Sequence, residues 1–344
     1  MLFSMISIGK GNDMNNELDN QLKFSIIVPT HNEGKMLLRC LNSLENQNYK
    51  NIEIIVIQNS ATQETKDAAI KASQEYPNIR VFVTDEPGVS NARNIGLENA
   101  TGDVIGFCDA DDWYNPGIIK KVAEAFETDN QDIVICGFNL LEPDGKSQDI
   151  LEGKNIMLSK EDFVIKVLAD LKIAGSVCTK FFKSELIAES RFNEKIKIME
   201  DGEFCVRTVK NYNAGSNELR IFYLNEVGYI YYRREDSVSY NYLKYNEDDR
   251  LGIDLALDTI ENECQLTEKE KNAVGVRRAI ETSSILVMYY QNGMLHEDQY
   301  RKLIYNCRQE FLENCNCVYM YSGADDNLLM STFIISNQLC TVWK

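Results

Sequence analysis

The stretch GFCDADDWYNP, residues 106–116, places Asp109, Asp111 and Asp112 within four positions, directly after an apolar run. Carboxylates packed that closely repel one another unless a cation or a set of N–H donors lies among them. Two chemistries fit the pattern. Asp is favoured in turns and at helix N-termini, where its oxygens accept backbone N–H bonds. Hard divalent cations such as Mg2+ also take carboxylate oxygens, often from one or two side chains together with substrate phosphates. A second acidic group, Glu200 and Asp201 in MEDGEF, lies much further along the chain. It reads either as a helix start favoured by the macrodipole or as a carboxylate that takes a proton from an attacking group.

The elements around these acids alternate. FSIIVP, IEIIVIQ, IRVFVT, DVIGFC and DIVICGFNLL are short apolar runs of strand length. Between them, GKMLLRCLNSLENQ carries a helical stripe at Met36, Leu37, Cys40, Leu41 and Leu44. TQETKDAAIKASQEY reads as a helix capped by Thr62, and SNARNIGLENATG as one capped by Ser90 and stopped by Gly102. NPGIIKKVAEAF reads as a helix with Asn115 as cap and Pro116 at its first position. Strands alternating with helices predict an α/β fold with a mostly parallel sheet covered on both faces. Ligands of such sheets bind at the carboxyl ends of the strands. One rim should therefore gather PTHNEG, QNSATQ, TDEPGVSNAR and DADDW. SKEDFVIKVLADL reads as a further capped helix, RIFYLNEVGYIYYRR as a strand, and the chain beyond residue 243 as helices.

Composition narrows the partners. The 344 residues are 44% hydrophobic and 26% charged, as in ordinary globular chains. A formal net charge of −17 excludes nucleic acid as the main partner, since phosphate neutralisation needs a Lys/Arg surplus. MLFSMISIGKG lacks the charged start and cleavage site of a secretory signal, so residues 1–21 are expected to be a flexible extension. Ten scattered cysteines suit reduced, mostly buried thiols in a cytoplasmic protein. Cys315 and Cys317 form a lone C-x-C, too little for a zinc site in a chain with two histidines. The apolar stretch LLMSTFIISNQLCTVW is interrupted by polar residues and falls short of a spanning helix.

FSIIVPTHNEGKMLLRCLNSLENQNYKNIEIIVIQNS followed by EPGVSNARNIGLENATGDVIGFCDADDWYNP resembles the inverting nucleotide-sugar glycosyltransferases of family 2. CTKFFKSELI, IMEDGEF and YIYYRREDSVS resemble that family's acceptor-side segments, in the right order. The resemblance covers residues 22–240 and implies a GT-A catalytic domain, a Rossmann-like sheet flanked by helices. Residues 241–344 would form a mostly helical C-terminal region outside it. The resemblance also implies a nucleoside-diphosphate sugar donor, a divalent cation (Mn2+ or Mg2+), and a carbohydrate or lipid-linked saccharide acceptor. Cytoplasmic synthesis of a bacterial polysaccharide, glycan or lipid-linked oligosaccharide follows as the default setting. A peripheral contact with the inner face of the membrane stays open, and so does the oligomeric state.

Residue by residue, the family's D-x-D element falls on Asp109 and Asp111, with Asp111 as principal metal ligand and Asp109 reaching the metal or the ribose. Asp112 is left to cap the turn. The catalytic acid falls on Asp201, with Glu200 expected to point away from the cleft. Donor contacts fall on Pro29, Thr30, Glu33, Arg93 and the end of the second strand. There the chain departs from the family, with Gln58 and Asn59 where two acids are common. An Asn oxygen still accepts a hydrogen bond from a base N–H but without charge assistance, which leaves uracil less firmly implied. His31 stands where an aromatic residue is frequent and reads as a packing or surface residue. Arg233 and Arg234 could close over phosphates or lie in a solvated loop, and Lys180 could orient donor or acceptor. Two other readings compete: a GT-A module that binds nucleotide sugar without turnover, and a sugar-nucleotide nucleotidyltransferase. The second would need a Gly-rich basic loop after the first strand, which PTHNEGK lacks.

Overall fold

The structure, a computed structural model, describes residues 22–170, 172–173, 175–212, 218–234, 252–291, 293 and 301–319. The 1–21 extension, all of EDSVS and the apolar stretch at 328–343 lie outside the described residues, as do the side chains of Cys315 and Cys317.

Strands β1 (Phe24–Thr30) and β2 (Ile52–Asn59) are buried along their whole length, which is why they read as unbroken apolar runs rather than alternating ones. Helix α1 (Lys35–Glu45) turns Leu37, Cys40, Leu41 and Leu44 inward, and α2 (Gln63–Glu75) is capped by Thr62, whose side chain accepts from Thr65 N. Then follow β3 (Ile79–Thr84), α3 (Val89–Asn99), β4 (Val104–Phe107), β5 (Trp113–Tyr114), α4 (Ile118–Asp129) and β6 (Ile133–Leu141). Strands β7 (Ser147–Ile150) and β8 (Ile156–Leu158) lead to α5 (Lys160–Ala169), which Ser159 caps. A 3-10 turn at Val177–Thr179 enters β9 (Lys180–Lys183) and the short α6 (Ser184–Ile187). Helix α7 (Glu200–Asn211) and the long β10 (Ile221–Tyr232) complete the sheet region.

Two predicted caps are corrected. Helix α3 opens behind Gly88, at φ 129°, so Ser90 lies within its first turn, and the helix ends at Asn99 ahead of Gly102. Helix α4 starts behind Gly117 in a left-handed conformation, and Asn115 instead donates to the Val227 carbonyl at 2.8 Å. In both places glycine supplies a backbone geometry that the Asn or Ser side chain was expected to satisfy by hydrogen bonding.

The sheet runs β3-β2-β1-β4-β9-β6-β10-β5, with β7 on β6 and β8 on β10. Strands β3, β2, β1 and β4 are parallel to one another, and β10 is parallel to β6. Strand β9 runs antiparallel between β4 and β6, so its start, not its end, faces the rim where β1, β2, β4 and β10 finish. Helices α8 (Asp254–Glu263), α9 (Glu268–Gln291) and α10 (Arg301–Tyr319) pack outside the sheet, α8 on α7 and α9 on α5. Ile253, Leu257, Ile260, Leu286 and Ile304 join the hydrophobic cluster that also holds Phe24, Phe107 and Phe181. The cysteines Cys40, Cys108, Cys136, Cys178, Cys205, Cys264 and Cys307 are buried and free.

Candidate active site

The acids of the two motifs meet on one guanidinium. Arg93, one turn into α3 and 2% exposed, donates through one terminal nitrogen to Glu200 Oε1 at 2.9 Å and Asp201 Oδ1 at 2.5 Å. Its other terminal nitrogen donates to Asp109 Oδ1 at 3.0 Å. Burial opposes the Arg93 charge, but Asp201, Asp109 and Glu200 together hold it protonated. Its carbon stands 5.4 Å from the centre of the Phe192 ring, which stacks on Phe204 of α7. The expectation that Glu200 and Asp201 point apart does not hold. Met199 takes a left-handed conformation (φ 65°), and both carboxylates of the first helical turn converge on Arg93.

Asp201 is held on its other side by the Val177 N–H, which donates to Oδ2 at 3.1 Å. That approach depends on two glycines: a Cβ on Gly175 would lie 3.1 Å from the Gly202 Cα. Burial pushes the Asp201 carboxyl up to about 7; Arg93 opposes this and Glu200 and Asp109 reinforce it. The N-terminus of α7 also favours the anion, but a macrodipole contribution of ~0.3–1 kcal/mol is too small to restore an ordinary carboxylate. A carboxylate poised near neutrality is suited to accept a proton.

The three aspartates after β4 have different fates. Asp112 is 1% exposed and sealed: Tyr229 OH donates to one oxygen at 2.6 Å and Tyr232 N to the other at 2.8 Å. It does not cap its own turn, as expected, but ties that turn to β10. Burial first, and then Asp111 and Asp109, raise its carboxyl well above the ordinary range. Asp109 and Asp111 keep side chains 35% and 23% exposed. Burial and the neighbouring Asp109 push Asp111 up to about 6, with Arg234 Nε 3.4 Å from its Oδ2 pulling the other way. Two accessible hard oxygen donors, one of them short of countercharge, fit a divalent cation that takes its remaining ligands from phosphates. Among the described residues no group of three or more His, Cys, Asp or Glu side chains is arranged to hold a metal unaided.

The residues expected on the donor side line the ends of β1 and β2. Pro29 and Thr30 are buried at the end of β1, where the Thr30 hydroxyl and the His31 N–H both donate to Glu33 Oε2, at 2.7 and 2.6 Å. His31 is exposed, with Nδ1 2.7 Å from the Asn59 carbonyl. Asn59 donates its amide to the Gly88 carbonyl at 2.6 Å, which leaves its buried Oδ1 as an acceptor without a partner. Gln58 is turned to the Lys66 carbonyl at 3.3 Å. Arg39 Nε, Ser90 Oγ and Arg93 Nε are also buried without hydrogen-bond partners. Buried polar atoms are normally satisfied, so the open Asn59 Oδ1 at this strand rim is a candidate acceptor for a polar ligand.

Some candidates separate from the site. Lys180 is fully buried and donates to the carbonyls of Ile173 (2.9 Å) and Ser176 (2.7 Å), so it braces the loop that carries Val177. Burial lowers its pKa. Arg233 faces Glu142 at 2.7 Å, and of the arginine pair only Arg234 approaches the aspartates. Sequence reasoning missed Arg39, Tyr229 and Tyr232. Arg39 donates to the Asp111 carbonyl at 2.7 Å, yet on its own it reads as the polar face of an amphipathic helix.

Residues 25–161 match the sequence model of Glycosyl transferase family 2. The uncharacterized glycosyltransferase EpsJ of Bacillus subtilis is 29% identical over 221 residues, 62% of this chain and 62% of that protein. The putative glycosyltransferase EpsH of the same organism is 28% identical, and the chain spans about half of it (54%). The GalNAc(5)-diNAcBac-PP-undecaprenol beta-1,3-glucosyltransferase of Campylobacter jejuni is 28% identical over 72% of this chain and 76% of its own length. The crystal structure of S. aureus TarS 1–349 in complex with UDP-GlcNAc superposes with a TM-score of 0.66 at 21% identity, covering 85% of this chain and 81% of that one, a likeness of fold.

Proposed function

The chain belongs to the family 2 glycosyltransferases through residues 25–161 and has the GT-A fold, and from that premise we propose that it transfers a sugar, with inversion, from a nucleoside-diphosphate sugar to an acceptor hydroxyl. The observation that carries this reading is the convergence of Asp109, Glu200 and Asp201 on the buried Arg93, with Asp201 poised near neutrality.

In this reading Asp201 is the general base. Its Oδ1 is held by Arg93 and its Oδ2 by Val177 N–H, which fixes the carboxylate while its raised pKa lets it take the acceptor proton. A single displacement with the base opposite the leaving group inverts the anomeric carbon, so an α-linked donor gives a β-linked product. Asp111, with Asp109, would hold a divalent cation, Mn2+ or Mg2+, which supplies positive charge to the leaving diphosphate. Arg93 keeps Asp109 and the base in fixed relation, and Arg234 adds countercharge beside Asp111. Thr30, Glu33 and Asn59 shape the nucleoside pocket behind Pro29. Asn59 Oδ1 is the open acceptor there, and uridine, which presents an N–H, suits it.

The acceptor is proposed to be a carbohydrate or lipid-linked saccharide, with the Campylobacter relative's undecaprenol-linked acceptor as the supporting parallel. Among the described residues no helix is long and apolar enough to cross a membrane. We propose that the reaction runs on the cytoplasmic side, where a lipid-linked acceptor would tie it to the inner face of the membrane. The test is a panel of nucleotide sugars screened with Mn2+ or Mg2+ for release of nucleoside diphosphate. The expected result is divalent-dependent turnover of a UDP-sugar. Full activity in excess chelator would remove the metal from the proposal, and absence of turnover with every donor and acceptor would leave a binding module.

A further inference from the structure

A cation outside the donor pocket holds the aspartate turn in place. Arg39 of α1 reaches across to the turn after β4, donates to the main-chain carbonyl of Asp111 at 2.7 Å, and lays its guanidinium against two rings. Its carbon lies 3.9 Å from the Trp113 ring centre and 4.9 Å from that of Tyr232. The two rings face each other at 6.3 Å, tilted by 41°. Trp113 belongs to β5, whose pairing with β10 sets Trp113 opposite Ile230. Tyr232 ends β10 and donates its N–H to Asp112, two residues before Arg234 approaches Asp111. One side chain therefore joins α1, the aspartate turn and the end of β10.

Resting on the reading of this rim as a donor and metal site, we infer that Arg39 is a positioning residue for donor binding. It fixes the turn so that the Asp111 carboxylate and Arg234 meet the diphosphate together. The chemistry of the contact supports this. Arg93 already meets the Asp109 carboxylate, Arg234 lies beside that of Asp111, and Asp112 is sealed by Tyr229 and Tyr232; a further cation on the open oxygens of Asp109 and Asp111 would compete with the ligand. Arg39 meets Asp111 through its carbonyl and leaves the carboxylate oxygens to Arg234 and to a metal. A flat guanidinium can stack between or beside rings and donate in its own plane at once; an ammonium cannot do both in one geometry.

The test compares wild type, Arg39→Met and Arg39→Lys by calorimetric titration with UDP, with and without saturating Mn2+, and by donor KM and kcat. Arg39→Met keeps the length and apolar packing of the side chain. We expect its Mn2+-dependent gain in UDP affinity to fall about tenfold and its donor KM to rise accordingly, while metal-free UDP affinity and kcat stay near wild type. Arg39→Lys should recover part of the loss. An unchanged Mn2+-dependent gain in Arg39→Met overturns the inference and leaves the proposed function standing. Equal loss of metal-free and metal-dependent binding, or a misfolded Arg39→Met with Arg39→Lys at wild-type values, also overturns it, since the role is then general support. A wild type whose UDP binding ignores Mn2+ overturns the metal reading first and this inference with it.

Discussion

The same sheet carries buried carboxylates at both of its ends, and the two ends treat them in opposite ways. At the amino end, Glu53 of β2 accepts from Ser25 Oγ at 2.5 Å, from Thr101 N at 2.7 Å and Oγ1 at 2.8 Å, and from Arg80 at 3.1 Å. Burial alone would raise its pKa, but these donors bring it down to about 2. At the carboxyl end, Asp201 is pushed up to about 7 and Asp111 up to about 6. Desolvation acts at both ends. The difference lies in the neighbours: donors and cations prevail around Glu53, whereas around Asp201 and Asp111 the nearby arginine is opposed by other acids. A satisfied carboxylate stabilises the fold, whereas crowded ones are tolerated where a ligand is to supply what is missing.

The sharpest way to break this contrast is Asp201→Asn. A positioned base contributes on the order of 10^2 to 10^4 in rate, so turnover should fall by that range while UDP binding stays unchanged. Wild-type activity should also fall as the pH drops through about 7, because only the deprotonated Asp201 accepts a proton. A flat pH–rate profile down to pH 5 would separate Asp201 from the chemistry.

Stability gives the next effect, with opposite signs at the two ends. The folded-state pKa of Glu53 lies below its unfolded value, so its contribution is full above the ordinary glutamate range and is lost as the pH falls towards about 2. Glu53→Gln leaves Arg80 and the Thr101 donors poorly matched and should cost about 1–3 kcal/mol at neutral pH, the usual range for an unsatisfied buried group. Urea unfolding would measure this, and specific activity of the folded fraction should be preserved. Asp201 has a raised pKa, so the folded chain holds its proton longer than the unfolded chain does. Its contribution to stability therefore declines as the pH rises from the ordinary aspartate range through about 7. Asp201→Asn should accordingly melt higher than wild type at pH 8 and show less difference at pH 5. A lower melting temperature at pH 8 would show that the Arg93 ion pair outweighs the crowding.

Smaller effects sharpen the picture. Glu200→Gln removes one of the acids that raise the Asp201 pKa, so the acid limb of the pH–rate profile should move to lower pH, with modest change in maximal rate. Asn59→Asp should improve affinity for uridine nucleotides severalfold by adding charge assistance, since hydrogen bonds to charged groups contribute about 1.5–3 kcal/mol against ~1 for neutral ones. No gain for UDP alongside better binding of another nucleotide would move the donor away from uridine.

Much of the fold was legible because its parallel strands are buried on both faces and its helices carry clear stripes. The rim followed from the strand order. The motif acids Asp109, Asp111 and Asp201 were legible as types and spacing, and the structure brings Asp109 and Asp201 to one guanidinium. What the sequence hid were fates decided by long-range contacts. Nothing local distinguishes Asp112, sealed by Tyr229 and Tyr232, from Asp111 one position earlier. Lys180 reads like a ligand-binding cation in CTKFF, yet its buried amine donates to main-chain carbonyls, those of Ile173 and Ser176 among them. Glu200 and Asp201 were expected to diverge because neighbours on a regular helix do. The left-handed Met199 just before the helix gives the entry a geometry that spacing does not encode.

The reach from Arg93 to Glu200 and Asp201 spans more than a hundred residues of chain. On a ribosome β1, β2 and β4, three of the strands that end at this rim, emerge well before α7 does, and β10 follows α7. For that interval Arg93 has Asp109 as its acidic partner, and the proposed base is still to come. A chain halted before residue 200 would lack the proposed base, and with it β10, whose Tyr229 and Tyr232 tie down the aspartate turn. Under the proposed function, the order of synthesis thus places the first donor contacts ahead of the base, and the late pair α7 and β10 completes the site.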